Sequence, residues 1–170
     1  MNSFTFCILT ISDRSFQKKR EDISGPKLGG FIEHKGWQVL DSKIVPDEIK
    51  LIQKALKDWC RSSNPPQVIL TTGGTGFSPR DVTPEATRKV IEKEAPGFGE
   101  MMRFKGLDAS PYSMLSRGIS GICRKTIIIN LPGSPRAAVE SLSIIVDLLP
   151  HAILLLLDNP DAAIQHKEKS

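Results

Sequence analysis

A glycine-rich segment is the part of the sequence whose chemistry is easiest to state. It reads TTGGTG, from Thr71 to Gly76, and follows a short apolar run. Glycines let a backbone approach a ligand closely and adopt positive φ angles. Successive backbone N–H groups in such a loop form an anion-binding nest, and threonine hydroxyls add donors. The segment indicates either a phosphate-binding loop or a plain tight turn, and it matches neither the Walker A loop nor the dinucleotide fingerprint.

Two aspartates, Asp47 and Asp81, could supply metal ligands beside this loop. Mg²⁺ takes oxygen ligands, and in nucleotide sites it usually takes one or two carboxylates plus phosphate oxygens. Each aspartate also has a structural alternative. Asp47 could cap the helix predicted from Glu48, and Asp81 could brace the turn before Pro84. Taken together beside the glycine-rich segment, the pair favours a Mg²⁺–nucleotide site.

Ser134 and the helix predicted from Pro135 form a second candidate anion site, because a helix N-terminus favours negative charge. An ordinary helix cap is an equally good interpretation of the serine. Basic residues in the later half of the chain could clamp phosphates, although a solvated surface charge is the more frequent role for any one of them. These residues are Arg80, Arg103, Lys105, Arg117, Arg124, Lys125 and Arg136.

Length and composition limit the class of protein. The chain has 170 residues, which at roughly 150 per domain predicts one domain. It is 39% hydrophobic and 25% charged, which excludes intrinsic disorder. A net charge of +4 suits phosphorylated ligands but is too small to indicate nucleic-acid binding. An uninterrupted apolar run of about 18 residues and a signal peptide are both missing, so no membrane span is expected.

Cysteine and histidine usage exclude further kinds of site. Three cysteines without a Cys-x-x-Cys pair predict neither a zinc site nor a disulfide framework, and they indicate a reducing compartment such as the cytoplasm. These are Cys7, Cys60 and Cys123. The three histidines are scattered and none is expected to be catalytic. These are His34, His151 and His166.

Alternating apolar strands and amphipathic helices predict a three-layer αβα domain over residues 1–157 with a mostly parallel central sheet. Residues 158–170 are predicted to be a polar, frayed tail. The predicted strands are Phe4–Ile11, Trp37–Val45, Gln67–Thr72 and Thr126–Leu131, with a weakly extended segment at Leu115–Ile122. One predicted helix starts at Pro26. The other predicted helices are Glu48–Arg61, Glu85–Glu94, Phe98–Lys105 and Pro135–Leu157, and the last of these is interrupted near Pro150. The segment Ser12–Ser24 is predicted to be a mobile loop.

In open parallel sheets, ligands bind beyond the carboxyl ends of the strands. The residues that follow the predicted strands are therefore the ones expected to form the site. They are Ser12 and Asp13 after the first strand, Asp47 after the second, the TTGGTG segment after the third and Pro132, Gly133 and Ser134 after the last.

Motifs along nearly the whole chain, from Phe4 to Leu157, closely resemble those of the molybdopterin adenylyltransferases. That family includes bacterial enzymes and the G domains of the plant enzyme and of gephyrin. The motifs occur in family order. They are ISDR from Ile11, VPDE from Val45, TTGGTGFSPRDVTPEAT from Thr71, PGFGEMMR from Pro96, LSR from Leu115 and NLPGSP from Asn130.

The resemblance implies a homotrimer that transfers AMP from Mg²⁺-ATP to the terminal phosphate of molybdopterin and releases pyrophosphate. It implies Asp47 and Asp81 as the catalytic acids and metal ligands. It implies a cytoplasmic protein that passes the adenylylated pterin to a molybdenum insertase. The residues implied for ATP are Thr72, Gly73, Gly74, Thr75, Gly76, Glu100, Met101, Pro132, Gly133 and Ser134, and those implied for the pterin pocket are Ser12, Asp13, Ser116 and Arg117.

Three alternatives accompany this interpretation. The chain could be a pterin-binding domain without transferase activity, or a scaffold domain like that of gephyrin. It could also be a generic nucleotide-binding protein, although the loop has no Walker lysine. Some family members are fused to an insertase domain, so the sequence fits a stand-alone enzyme or a domain cut from a longer protein.

Overall fold

The computed structural model describes residues 3–158. Six strands form one sheet in the spatial order β2-β1-β3-β6-β5-β4. The strands are β1 (Thr5–Ile11), β2 (Gln38–Val45), β3 (Val68–Thr72), β4 (Lys93–Glu94), β5 (Ser120–Cys123) and β6 (Thr126–Leu131). The pairs β2–β1, β1–β3 and β3–β6 are parallel, whereas β5 is antiparallel to both of its neighbours. The predicted mostly parallel sheet is therefore confirmed.

Helices cover both faces of the sheet and complete the predicted three layers. They are α1 (Asp13–Phe16), α2 (Ser24–His34), α3 (Ile49–Cys60), α4 (Thr83–Arg88), α5 (Pro96–Gly106), α6 (Pro135–Ile145) and α7 (Leu149–Leu156), with 3₁₀ turns at Pro111–Leu115 and Val146–Leu148. The core on one face contains buried residues of α2, α5, α6 and α7, and the core on the other contains those of α3 and α4.

The central strands are mostly apolar because both of their faces are buried. In β1, Phe6 and Ile8 belong to one core, whereas Cys7 and Leu9 belong to the other. Successive side chains of a strand point to opposite faces, so helices on both sides require a continuous apolar run. This arrangement places the carboxyl ends of β1, β3 and β6 side by side.

The helix predicted over Glu85–Glu94 is wrong in its second half. Helix α4 ends at Arg88, and Lys93 and Glu94 form the short edge strand β4. This strand pairs with β5, where Lys93 lies opposite Ile122. Its two residues are exposed and charged, so they carry no apolar alternation, and a contact distant in sequence decides their conformation.

Smaller corrections concern where helices begin. Pro96 begins α5 instead of only ending the preceding helix, because its fixed φ suits the first helical position. The predicted loop Ser12–Ser24 contains the short helix α1, and α2 begins at Ser24, upstream of Pro26. The segment predicted as extended from Leu115 becomes a strand at Ser120. The predicted tail lies, from residue 159 onward, outside the described residues.

The stretch Pro135–Leu156, which comprises α6, a 3₁₀ turn and α7, is long and apolar enough by length and composition to cross a membrane. Its break lies at Val146–Leu148, ahead of Pro150, which sits in the first turn of α7. Several of its side chains are fully buried in the core that covers one face of the sheet. These are Ala138, Leu142, Ile145, Leu149 and Ile153. Burial in the core accounts for part of the apolar character of this stretch, because 33% of its apolar window is buried.

Candidate active site

Two glycines directly after β3 adopt conformations that other residues rarely reach. Gly73 has φ +104° and Gly74 has φ +63°. A Cβ on Gly73 would lie 2.2 Å from the carbonyl oxygen of Ile11, and one on Gly74 would lie 2.4 Å from Oγ1 of Thr83. Both positions therefore require glycine, because the loop passes against the end of β1 and the start of α4.

The carbonyl groups of the loop Gly73–Gly76 are all held by the protein. Thr83 donates to the first two, from Oγ1 at 2.9 Å and from its backbone N–H at 3.0 Å. Arg117 donates to the last two, from its backbone N–H at 2.9 Å and from Nε at 2.7 Å. These four bonds fix the orientation of the peptide groups.

The backbone N–H groups of residues 74–77 donate no hydrogen bond to any acceptor within the described residues. The same four residues line a cleft of about 920 Å³. Unpaired consecutive N–H groups beside a cleft are the feature of an anion-binding nest, since each one needs an acceptor. This arrangement fits the predicted phosphate-binding loop better than a plain tight turn.

Asp81 lines the same cleft. Its Oδ2 accepts a hydrogen bond from the backbone N–H of Ser78 at 3.0 Å, so it braces the turn 78–81 that precedes Pro84, as its structural alternative predicted. The same oxygen lies 2.9 Å from the position of a Cβ on Gly76. The carboxylate therefore borders the glycine loop, and its Oδ1 makes no hydrogen bond within residues 3–158.

Asp47 borders the loop at Gly74, is not part of the cleft lining, and does not cap α3. The N-cap residue of α3 is Glu48, and its side chain makes no capping hydrogen bond. Instead, Asp47 and Asp13 exchange two hydrogen bonds: Asp13 N donates to Asp47 Oδ2 at 2.9 Å, and Asp47 N donates to Asp13 Oδ1 at 3.0 Å. Oδ1 of Asp47 lies 3.0 Å from the position of a Cβ on Gly74.

The electrostatic environment of Asp47 disfavours its charged form. Burial raises the pKa of this half-buried carboxyl, and the negative charges of Asp13 and Asp81 raise it further, against the opposing backbone hydrogen bond from Asp13. A bound cation would offset both the free-energy cost of burying the charged carboxylate and its repulsion by the neighbouring carboxylates. The arrangement therefore suits a site that is completed by positive charge.

Asp13 is held in turn by Arg80. The guanidinium makes two hydrogen bonds to the carboxylate, from Nε to Oδ2 at 3.0 Å and from Nη2 to Oδ1 at 2.9 Å. These bonds lower the pKa of Asp13, although burial opposes the shift. Its neighbour Ser12 caps α1 by accepting a hydrogen bond from Ser15 N at 3.2 Å. Both residues sit at the carboxyl end of β1, as predicted.

The residues present fit a Mg²⁺ ion that arrives with a phosphate. Asp47 and Asp81 border the glycine loop and interact electrostatically. Among residues 3–158, no group of three or more His, Cys, Asp or Glu side chains could hold a metal. Two carboxylates completed by phosphate oxygens and water are the usual ligand set of Mg²⁺ in nucleotide sites.

The segment after β6 packs against the glycine loop. Thr72 Oγ1 donates to the carbonyl of Pro132 at 2.7 Å, and a Cβ on Gly133 would lie 3.1 Å from Cα of Gly73. Pro132 and Gly133 line the cleft. Ser134 caps α6 by accepting from Ala137 N, at the long distance of 3.5 Å. The cap interpretation of Ser134 is confirmed.

The structure places only some of the other predicted site residues in the cleft lining. Ser116 lines the cleft, whereas the guanidinium of Arg117 is bound to protein atoms. On α5 the residues that line the cleft include Gly99, Met102 and Arg103. Glu100 is exposed and Met101 packs against the core, so neither belongs to the lining.

Asn130 is a cleft residue that sequence reasoning missed. It lies on β6, is 1% exposed and donates from Nδ2 to Oγ1 of Thr71 at 2.9 Å and of Thr87 at 3.0 Å. Its Oδ1 accepts from the backbone N–H of Ile119. One signal was available in the sequence: a lone amide inside the apolar strand TIIINL must find buried partners.

Several proteins of molybdenum cofactor synthesis are similar to this chain. Residues 7–151 match a family described as a probable molybdopterin binding domain. The molybdenum cofactor synthesis protein cinnamon of Drosophila melanogaster is 47% identical over 161 residues, a match that covers 94% of this chain and 26% of that protein. The molybdopterin adenylyltransferase of Helicobacter pylori J99 is 39% identical, with 94% of this chain and 91% of that enzyme covered.

A solved structure shares both the fold and much of the sequence. The molybdopterin biosynthesis enzyme MoaB of Thermus thermophilus superposes with a TM-score of 0.86 at 42% identity, over 92% of this chain and 98% of that one. The chain thus spans about a quarter of the Drosophila relative but nearly the whole of the two bacterial proteins.

Proposed function

Because this chain belongs to the family of probable molybdopterin binding domains, we propose that it transfers AMP from ATP to the terminal phosphate of molybdopterin. The observation that carries the proposal is the row of unpaired backbone N–H groups at residues 74–77, in one cleft with Asp81. A row of this kind suits a polyphosphate. Similarity to the Helicobacter pylori molybdopterin adenylyltransferase supports the identity of the acceptor.

In this reaction an oxygen of the pterin phosphate attacks the α-phosphorus of ATP. The new P–O bond forms as the bond between the α- and β-phosphates breaks, and pyrophosphate leaves with the electron pair. The attacking phosphate is already an anion at neutral pH, so the chain needs no strong general base. Its tasks are alignment of the two phosphates and stabilisation of the charge around the α-phosphorus, which the N–H groups of residues 74–77 provide.

Mg²⁺, when bound, would neutralise charge on the phosphates. Asp47, which borders Gly74, and Asp81, which borders Gly76, are the residues that would hold it. The raised pKa of Asp47, caused first by burial and then by neighbouring carboxylates, supports a role in binding a cation. At neutral pH the ionised form of this carboxyl is the one able to act as a ligand.

We propose a division of the predicted site residues between the two substrates. Some of them are not part of the cleft lining, namely Thr72, Gly73, Ser134, Ser12 and Asp13. We assign the glycine loop and the segment after β6 to the nucleotide. Glu100 and Met101 on α5 lie outside the cleft lining, so this assignment does not include them. We assign Ser12, Asp13 and Ser116 to the pterin. The residues on the nucleotide side are Thr72, Gly73, Gly74, Thr75, Gly76, Pro132, Gly133 and Ser134.

The cellular setting is part of the same proposal. We infer a homotrimer that acts in the cytoplasm and delivers its product to a molybdenum insertase. Cys7, Cys60 and Cys123 are buried and free, which is consistent with a reducing compartment. A pterin-binding or scaffold domain without transfer activity is the second candidate. The exposed apolar side chains of Phe104 and Met114, both outside the cleft lining, favour it.

A single-turnover assay with molybdopterin, ATP and Mg²⁺ tests the transferase proposal. We expect stoichiometric adenylyl-molybdopterin and pyrophosphate from the unmodified chain. Asp81→Asn should lower the rate by about 10²–10³-fold, with little change in the denaturant midpoint. Asp147→Asn is the matched control, because Asp147 is 92% exposed and pairs with Lys35 away from the cleft.

Tight binding of molybdopterin without any product would favour the pterin-binding or scaffold domain. A folded Asp81→Asn protein with unchanged turnover would remove Asp81 from the metal site.

A further inference from the structure

Arg117 lies between the 3₁₀ turn Pro111–Leu115 and β5, and its side chain reaches the residues that follow β3. Nε donates to the carbonyl of Gly76 at 2.7 Å, and Nη2 donates to the carbonyl of Asp81 at 2.7 Å. Nη1 forms an ion pair with Glu85 on α4. All three guanidinium nitrogens therefore bind protein acceptors.

The geometry of these bonds depends on arginine. A guanidinium is planar and presents its donors in a fixed fork, whereas a lysine ammonium is a single point charge on a flexible stem. The two carbonyls that Arg117 binds stand at the two ends of the segment Gly76–Asp81. One rigid group thus fixes the distance between the end of the glycine loop and the backbone of Asp81.

Glu85 keeps the guanidinium in place. Burial acts to raise the pKa of the Glu85 carboxyl, but the hydrogen bond and the charge of Arg117 outweigh it and lower the pKa, so the carboxyl is ionised at neutral pH. The second oxygen, Oε2, is buried without a hydrogen-bond partner. Arg117 is therefore the side chain whose hydrogen bond holds this carboxylate, through Oε1.

We propose that Arg117, held by Glu85, is a positioning residue and not a pterin ligand. This proposal rests on the proposed function. It occupies the carbonyls of Gly76 and Asp81, and its backbone N–H occupies that of Thr75. With these carbonyls bound, the N–H groups of residues 74–77 stay available to the phosphates, and the Asp81 carboxylate stays beside them.

Amide hydrogen exchange of the ligand-free protein tests the positioning role directly. The informative amides are those of Ser78, Asp81 and Thr83, because each one donates a hydrogen bond within or next to the loop. In Arg117→Lys these amides should exchange about tenfold faster or more, since hydrogen bonds from a charged donor are lost. Arg88→Lys is the control, because Arg88 pairs with Glu94 on the same side of the sheet without touching the loop.

Kinetics provide the second measurement. Arg117→Lys should lower kcat by about 10²-fold, because the phosphates and Asp81 are no longer aligned. The KM for molybdopterin should change little. Glu85→Gln is the milder variant in case Arg117→Lys does not fold, and we expect it to accelerate exchange at the same amides to a smaller degree.

Unchanged exchange in Arg117→Lys together with a raised KM for molybdopterin would overturn the proposal and place Arg117 in the pterin pocket. The exchange measurement needs no substrate. If the unmodified chain makes no adenylyl-molybdopterin, the proposed function fails, whereas faster exchange in Arg117→Lys would still support Arg117 as the residue that holds the loop.

Discussion

At the scale of single residues, Asp47 shows how a side chain can be unfavourable for folding and suited to function. It is half-buried, and the charges of Asp13 and Asp81 act on it. Burying a carboxylate near others of its kind costs free energy unless a cation compensates. Such a residue is typical of a binding site, because the environment that destabilises the free protein strengthens the attraction for a cation.

The free energy of unfolding should reveal this cost. Because the folded-state pKa of Asp47 is raised above its ordinary 3.8, the folded chain loses stability as pH rises from that value through the raised one. Asp47→Asn removes the effect, so the variant should be at least as stable as the original chain at pH 7, with an advantage that shrinks towards acid pH. Urea unfolding at several pH values measures it.

Asp58→Asn provides the control, because the pKa of Asp58 is lowered whereas that of Asp47 is raised. The hydrogen bond from Lys54 lowers the pKa of this exposed aspartate, so its charge stabilises the fold above the ordinary value. That variant should not gain stability as pH rises. An Asp47→Asn protein that is less stable than the original chain at pH 7 would contradict the account of Asp47.

Gly73 is a second residue at which a substitution is expected to have a large effect on stability. Gly73→Ala would combine a φ of +104° with a Cβ 2.2 Å from a backbone oxygen. The conformational strain alone costs about 1–3 kcal/mol, and the contact requires β1 or the loop to move. We expect lower stability and lost activity, measured by urea unfolding and the single-turnover assay.

Gly30→Ala is the matched control, because a Cβ there meets nothing within 4 Å and the residue lies inside α2. It should stabilise the chain by about 1 kcal/mol through helix propensity. A Gly73→Ala protein as stable as the original would show that the loop can rearrange freely.

At the scale of elements, the sheet is protected at both edges. The edge strand β2 carries Asp41 and Lys43, and β4 consists of two exposed charged residues. Charged or very short edge strands discourage pairing with another chain. The central strands, by contrast, are fully buried and hold the ends of their loops in fixed positions. The glycine loop and the segment after β6 therefore lie at the centre of the sheet, whereas Asp47 follows the edge strand β2.

Ser134 lies at the start of helix α6, where it could act as a helix cap, as part of an anion site, or as both. Its hydroxyl caps the helix at a long distance, so Ser134→Ala should cost only about 0.5–1 kcal/mol. Ser134→Asp keeps a capping oxygen but adds negative charge. If this helix start faces the nucleotide as we propose, Ser134→Asp should fold as well as the original chain and raise the KM for ATP.

An unchanged KM in Ser134→Asp would leave Ser134 as a helix cap alone. Steady-state kinetics with ATP as the varied substrate, alongside urea unfolding of both variants, separates the two roles.

At the scale of the whole molecule, the surface carries apolar side chains that the fold leaves uncovered. Phe104, Tyr112 and Met114 are 69%, 76% and 53% exposed, and they lie on α5 and the 3₁₀ turn that packs beside it. Grouped exposed apolar residues indicate an interaction surface. The homotrimer that we propose would bury surface of this kind.

Sedimentation equilibrium tests the assembly. We expect a mass three times the 18.7 kDa of the chain. Phe104→Glu should shift the mass towards the monomer, because burying an unpaired charge at an interface is costly. Phe16→Glu is the control, since Phe16 is 51% exposed at a different place in the fold, on α1. A monomeric original chain would contradict the trimer.

The sequence by itself determined the central strands and the position of the glycine loop. Buried strands need continuous apolar runs, and the close contacts of Gly73 and Gly74 need glycine, so both leave local signals in residue type and spacing. The position of Asp47 and Asp81 beside that loop also followed, because parallel strands bring their carboxyl ends to one edge.

Tertiary structure alone decided the partners of these residues. The exchange of hydrogen bonds between Asp47 and Asp13, the three bonds of the Arg117 guanidinium and the pairing of β4 with β5 join segments far apart in sequence. Local patterns report which face of an element is apolar, but they do not report which distant polar group an exposed charge meets. That choice is made when the packed sheet and helices bring the loops together.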